Sequence, residues 1–167
     1  DVIFTASKES FRLPSTKVVV TGHGIDIEKF KIQDVKNRTI TQSSKLQIIT
    51  VGRISEIKNI HVLINVAEIL RERGVDFEIK IAGAPVTKRD KKYFKILQSD
   101  ITEKKLRDRV FFVGSIPYSR IEKFYWEGNI FVNLSETGSL DKAVLEAIAS
   151  GVNVFTSNEA FFKMLPD

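Results

Sequence analysis

Two short stretches of the chain carry residue types that together could hold a phosphorylated ligand. The first reads Val51-Gly52-Arg53-Ile54-Ser55-Glu56-Ile57-Lys58-Asn59, an apolar run that stops at a glycine and leads into two cations. A helix starting beside Lys58 would add unpaired N–H groups and partial positive charge to Arg53 and Lys58, which suits a diphosphate. The same residues also read as two exposed cations, one of them paired with Glu56. The second stretch reads Asn133-Leu134-Ser135-Glu136-Thr137-Gly138-Ser139-Leu140-Asp141-Lys142 and runs into Ala143-Val144-Leu145-Glu146-Ala147. Gly138 lets the backbone approach a ligand closely, Ser139 is a candidate N-cap and Asp141 suits a first helical turn. Glu146 lies deeper in the helix. It could pair with Lys142, in the weaker order of the two charges, or accept two hydrogen bonds from a ribose diol. Residue chemistry leaves both pairs of readings open.

The elements that must position these loops alternate in period. Leu46–Val51, Phe77–Ala82, Val110–Val113, Ile130–Leu134 and Val152–Phe155 read as buried strands, the first three each followed by a glycine. Between them, Leu63, Val66, Ala67 and Leu70 mark one face of a helix over Lys58–Arg73, which Gly74 stops. Further helices are predicted over about 87–105, from Pro117 through Tyr125, and over Leu140–Ser150. Such alternation implies an α/β fold, a Rossmann-like parallel sheet with helices on both faces. Sheets of this kind bind ligands at the carboxyl ends of their strands, so the loops after Val51, Ala82, Val113 and Leu134 are where a site belongs. Upstream, Val2–Ala6 and Lys17–Thr21 look like two more strands, and 31–45 is a polar surface loop.

Composition narrows the chemistry. With 167 residues, 43% hydrophobic and 28% charged, the chain suits one soluble domain with a substantial core. It has no cysteine and only His23 and His61 as imidazoles, which removes disulfides and thiol catalysis and disfavours zinc. It has no long apolar run and no signal peptide at its start, and a cytoplasmic setting fits. The net charge of +5 attracts phosphates of any kind. Its clusters, Lys88-Arg89-Asp90-Lys91-Lys92 and Lys104-Lys105-Leu106-Arg107, fall in a predicted helix and read as a solvated face, so nucleic acid is not the expected partner. Phe111, Phe112, Phe124, Tyr125 and Trp126 fall at core-like positions, with base stacking by Phe112 or Tyr118 left open.

In order and spacing, VTGHGIDIEKF, ITVGRISEIKNIHVLINVAEIL, IKIAG, VFFVGSIP and FVNLSETGSLDKAVLEAIASGVNVF resemble the C-terminal half of the family-4 retaining glycosyltransferases. The resemblance covers roughly residues 17–158, and the pairing of VGR-xxxxK with LEA-xx-SG carries most of it. It implies the two-domain B-type fold, with residues 17–167 as the nucleotide-sugar-binding domain and 1–16 a remnant of a preceding acceptor domain. It also implies that a closing C-terminal helix lies beyond the chain. Arg53 and Lys58 match the pair that stabilises the leaving diphosphate. Gly52, Gly138, Ser139, Leu145 and Glu146 fall in the donor-binding motifs, with Glu146 as the ribose ligand. Gly24 falls in the loop facing the interdomain cleft, and Ile116 in the loop beside the nucleobase. His23 stands where the family usually has Asn.

One departure matters. Eight residues before Glu146 the family usually has a second Glu, and here Gly138 stands there, with Glu136 two places earlier. The TGSLDK segment resembles a variant branch in which Asp141, Lys142 and the backbone around Ser139 would address the sugar. The implied reaction is hexosyl transfer from a nucleoside-diphosphate sugar to an acceptor hydroxyl with retention, in glycan, glycolipid or polysaccharide biosynthesis. It needs no metal or other cofactor, because cations take the charge on the diphosphate, and no catalytic base is assigned. These residues alone would bind a nucleotide weakly and transfer nothing. A lipid-linked acceptor would put the full-length enzyme on the inner face of a membrane. Two alternatives are a non-catalytic nucleotide-sugar-binding module and a related B-type epimerase, which shares the sheet but lacks the paired motifs. A nucleic-acid-binding domain rests on charge alone.

Overall fold

A computed structural model of the chain describes residues 1–6, 11, 13–32, 45–135 and 140–162. A five-stranded, all-parallel sheet forms its centre, built from β3 (Leu46–Val51), β4 (Phe77–Ala82), β5 (Val110–Gly114), β6 (Ile130–Asn133) and β7 (Asn153–Thr156). Their spatial order is β5-β4-β3-β6-β7, so chain order reverses between β3 and β6. Two earlier strands, β1 (Ile3–Thr5) and β2 (Val18–Val20), pair in parallel in a separate two-stranded sheet.

Both faces of the main sheet are covered, as parallel pairing requires. One face packs on α2 (Ile60–Glu72) and α3 (Lys88–Glu103) through Ile64, Phe77, Ile79 and Leu97. The other packs on α4 (Ile121–Trp126) and α5 (Lys142–Ala149) through Ile49, Tyr125, Phe131 and Val144. Phe30 joins this second layer from α1 (Ile27–Phe30), a single turn capped by the Asp26 side chain and too short to give a periodic signal. The Trp126 indole donates to the Phe30 carbonyl at 2.8 Å and ties that turn to α4.

Local chemistry sets where the helices begin. Before α2 come a 3-10 turn, Glu56–Lys58, and Asn59 in the left-handed region (φ 48°), so the helix starts two residues later than its periodicity predicts. Helix α3 opens with a reciprocal capping box between Thr87 and Asp90. It ends at Glu103, because Lys104 is its C-cap and Lys105 turns left-handed (φ 53°). The second basic cluster therefore lies past the helix, with Lys104 paired to Glu68 and the Arg107 Nε donating to the Thr102 hydroxyl. Tyr118–Arg120 form a 3-10 turn before α4. Phe111, expected in the core, is 38% exposed, whereas Phe112 packs edge-on against Phe94.

Candidate functional site

The reversal of strand order opens a crevice between the carboxyl ends of β3 and β6, the position where doubly wound sheets take their ligands. The loop after β3 supplies Gly52, Arg53 and Lys58; the loop after β6 supplies Leu134 and Ser135. All five line one pocket together with Asn133. The two loops are pinned together by Asn59, whose Nδ2 donates to the Leu134 carbonyl at 2.9 Å.

Two glycines make the close approach possible. A Cβ added at Gly83 would sit 1.8 Å from the Gly52 carbonyl oxygen, a backbone atom, and Gly83 has φ +144°. No other residue fits there. A Cβ at Gly52 would meet Lys58 Cε at 3.3 Å, so the bare backbone of Gly52 is the floor over which the lysine stem lies.

Lys58 does not point freely into solvent. Its ammonium pairs with the Asp141 carboxylate. Asp141 also accepts from Asn133 Nδ2 at 3.0 Å and from the Ala143 amide at 3.3 Å, and so caps α5. The N-cap is thus Asp141, and helix α5 begins two residues later than the apolar pattern predicts. Gly138 and Ser139, the expected N-cap among them, lie outside the described residues. Asn133, almost fully buried, was not singled out from the sequence; its site role follows from sitting at the end of β6, immediately before the loop begins.

Arg53 is half exposed, and its Nε lies 3.9 Å from the Asp90 carboxylate. The sequence offered Glu56 as a partner for one of the two cations; Glu56 instead pairs with Arg89, which raises the pKa of that guanidinium. The hydrogen bond from the Thr87 amide is the main cause that holds Asp90 below the usual carboxylate range. Arg53 therefore lines the pocket beside an acid that is also engaged by its own helix start.

Glu146 is 8% exposed on the inner side of α5. It does not pair with Lys142. Its Oε2 accepts from the Tyr125 hydroxyl at 2.8 Å. Burial raises the carboxyl above its usual range, with the Tyr125 hydrogen bond working in the opposite direction. Burial and the adjacent Glu146 push the phenol of Tyr125 well up. Tyr125 is therefore both a core residue, as expected, and a polar partner of the site, which the sequence does not reveal.

The other candidates are spread around this centre. Ile116 is half-buried and lines a second hollow with Gly83 and Ser115 that shares Gly52 with the first. Lys142 is exposed at the start of α5. Leu145 is half-buried and packs into the core layer under that helix. Gly24 is exposed in the loop between β2 and α1, and α1 packs on α5. Tyr118 is exposed, with the Lys29 ammonium 4.9 Å above its ring. Among the described residues no cluster of three or more His, Asp or Glu side chains could hold a metal ion, and no helix is long and apolar enough to cross a membrane.

Known proteins resemble this chain in sequence and in fold. The family described as "Glycosyl transferases group 1" matches residues 31–164. The chain is 30% identical over 155 residues to the amylovoran biosynthesis glycosyltransferase AmsK of Erwinia amylovora, covering 88% of this chain and 35% of that protein. It is 29% identical over 150 residues to the putative colanic acid biosynthesis glycosyltransferase WcaL of Escherichia coli, covering 86% of this chain and 34% of that protein. The chain thus spans about a third of the length of the curated relatives it matches. Among solved structures, Anabaena HepE in complex with UDP and glucose superposes with a TM-score of 0.76 at 18% identity, over 90% of this chain and 41% of that one. The C-terminal domain of the Francisella tularensis group 1 protein LpcC gives 0.68 at 22% identity, over 86% of this chain and 76% of that one. The fold is that of the Rossmann-like domain of B-type glycosyltransferases, and by its matched residues the chain belongs to the group 1 glycosyl transferases.

Proposed function

We propose that this chain is the donor-binding part of a retaining hexosyltransferase that moves a sugar from a nucleoside diphosphate to an acceptor hydroxyl in polysaccharide biosynthesis. The observation that carries the reading is the convergence of Arg53 and Lys58 on one pocket at the strand-order reversal, with Glu146 inward on the helix that flanks it. The relatives named for amylovoran and colanic acid biosynthesis, and the UDP held by HepE, support it.

In this reading the diphosphate lies over Gly52, between Arg53 and Lys58, and the base lies toward Ile116. The ribose diol donates to Glu146. As the bond from the anomeric carbon to the diphosphate oxygen breaks, its electron pair leaves with the diphosphate. The acceptor oxygen bonds to the same face of that carbon, and its proton passes to the departing phosphate. Arg53 and Lys58 take up the growing negative charge as fixed electrostatics, so the reaction calls for no metal or cofactor. Asp141 sets where the Lys58 ammonium sits. Three hydrogen bonds leave its carboxylate room for one more, from a sugar hydroxyl. Lys142 and the backbone around Gly138 and Ser139 are further candidates for the sugar. The acceptor, glycan or lipid-linked, is assigned to a preceding domain, to which we join β2 as well as residues 1–16 because β2 pairs with β1. The loop carrying Gly24 then leads from that domain into this one.

The test is calorimetric titration with UDP, GDP and ADP. One nucleotide is expected to bind saturably, with affinity reduced about 10- to 100-fold by Arg53→Ala or Glu146→Ala, the range for a lost charge-assisted hydrogen bond. Binding that neither substitution weakens would overturn the assignment.

A further inference from the structure

Tyr125 is fully buried, yet its hydroxyl is spent on a single partner, and that partner is the proposed ribose ligand. The ring is gripped from two elements. Phe30 of α1 meets it edge-on at 5.7 Å, and Phe131 of β6 lies 5.7 Å away at 49°. A ring held in this way aims its hydroxyl in one direction. An ionised carboxylate only accepts hydrogen bonds, so the proton of the 2.8 Å contact belongs to tyrosine and the bond commits Glu146 Oε2. Among the described residues Glu146 Oε1 accepts no hydrogen bond.

We propose that Tyr125 is a positioning residue that, by donating to Oε2, fixes the plane of the Glu146 carboxylate and leaves Oε1 for the ribose diol, so that a residue out of contact with the nucleotide sets the preference for ribose over 2′-deoxyribose. The inference rests on the reading of Glu146 given above and deepens it. The charged and titratable groups facing Glu146 are Tyr125 from α4, Asp141 and Lys142 from the start of its own helix, and Lys29 from α1. Of these, Tyr125 is the one hydrogen-bonded to it. Removing that hydroxyl leaves a buried carboxylate without its donor, so its proton affinity rises and its orientation loosens.

The experiment is calorimetry on the full chain, using whichever of UDP, GDP and ADP binds, alongside its 2′-deoxy form, from pH 5 to pH 8. Tyr125→Phe keeps the ring between Phe30 and Phe131, and thermal unfolding checks its fold. It is expected to lower ribonucleotide affinity about tenfold while leaving 2′-deoxynucleotide affinity little changed. Relative to wild type, its ribonucleotide affinity should also begin to fall at a higher pH. Glu146→Gln serves as the reference and should remove this carboxylate's share of the pH dependence. If Glu146→Gln weakens binding while Tyr125→Phe leaves both the ribose preference and the pH profile unchanged, positioning by Tyr125 is wrong and the ribose role of Glu146 survives. If neither substitution matters, the ribose assignment fails too. Should Tyr125→Phe not fold, replacing the three tyrosines with 3-fluorotyrosine, a stronger donor, reverses the sign. The onset of binding loss then moves to lower pH, and an unmoved onset overturns the proposal.

Discussion

At the scale of single residues, the site combines a cost with a use. Glu146 has its pKa raised by burial, so the fold binds its proton more tightly than the unfolded chain does. That stabilisation is complete below the ordinary carboxylate range and is lost as pH rises through the raised value. Ionising this carboxylate therefore costs the folded state stability. Glu146→Gln, which can still accept from Tyr125, is expected to raise the melting temperature at pH 7 and to match wild type under acid conditions. Thermal unfolding across pH checks it. Gly83→Ala should do the opposite. Its added carbon would lie 1.8 Å from the Gly52 carbonyl, at a positive φ, and overpacking plus backbone strain should cost about 3 kcal/mol in denaturant unfolding.

At the scale of elements, helix starts carry both stability and chemistry. Asp141 caps α5 and neutralises Lys58 at the same time. Asparagine caps as well as aspartate but carries no charge. Asp141→Asn keeps a cap but gives up the ion pair and one acceptor oxygen. It is therefore expected to cost about 1 kcal/mol of stability while strengthening nucleoside-diphosphate binding severalfold, because Lys58 then faces the phosphates unopposed. Thr87→Ala lies at a cap with no such second task and should cost about 1 kcal/mol in chemical denaturation without altering nucleotide affinity. How much was legible follows the same division. Strands β3 and β4 fall where their apolar runs put them, because a buried parallel strand writes its burial directly into consecutive residues. The start of α5 did not, since Ser139 and Asp141 are both good caps and only the path of the backbone chooses between them. Helix α1 left no periodic trace; its cue was Asp26 followed by an apolar residue at Phe30. The cations Arg53 and Lys58 were legible as a pair, but their counter-ions were not. Asp90 and Asp141 reach them from other elements, across separations that only the sheet order brings together.

At the scale of the whole molecule, sheet order is what turns scattered motifs into a site. The chain goes outward from β3 to β5, returns through α4 and continues outward the other way, so the loops after β3 and β6 face each other at the reversal. No periodicity in the sequence specifies that return. The small β1–β2 sheet stands outside this scheme, with Val2, Phe4, Val19 and Val20 exposed. Removing residues 1–21 is expected to leave the unfolding transition of the remainder nearly unmoved, since an isolated strand pair adds little stability, whereas extending the deletion through Phe30 should destabilise it by removing a fully buried core residue. The central claim concerns the crevice at the reversal, and amide chemical-shift mapping during titration with a nucleoside diphosphate tests it most directly. The largest shifts should fall at Gly52–Lys58, Leu134–Ser135 and Asp141–Ala143 and leave β1, β2 and the outer faces of α2 and α3 unmoved. Shifts concentrated instead at the basic stretch Lys88–Lys92 would mean that phosphate is drawn to surface charge and that the crevice is not the binding site.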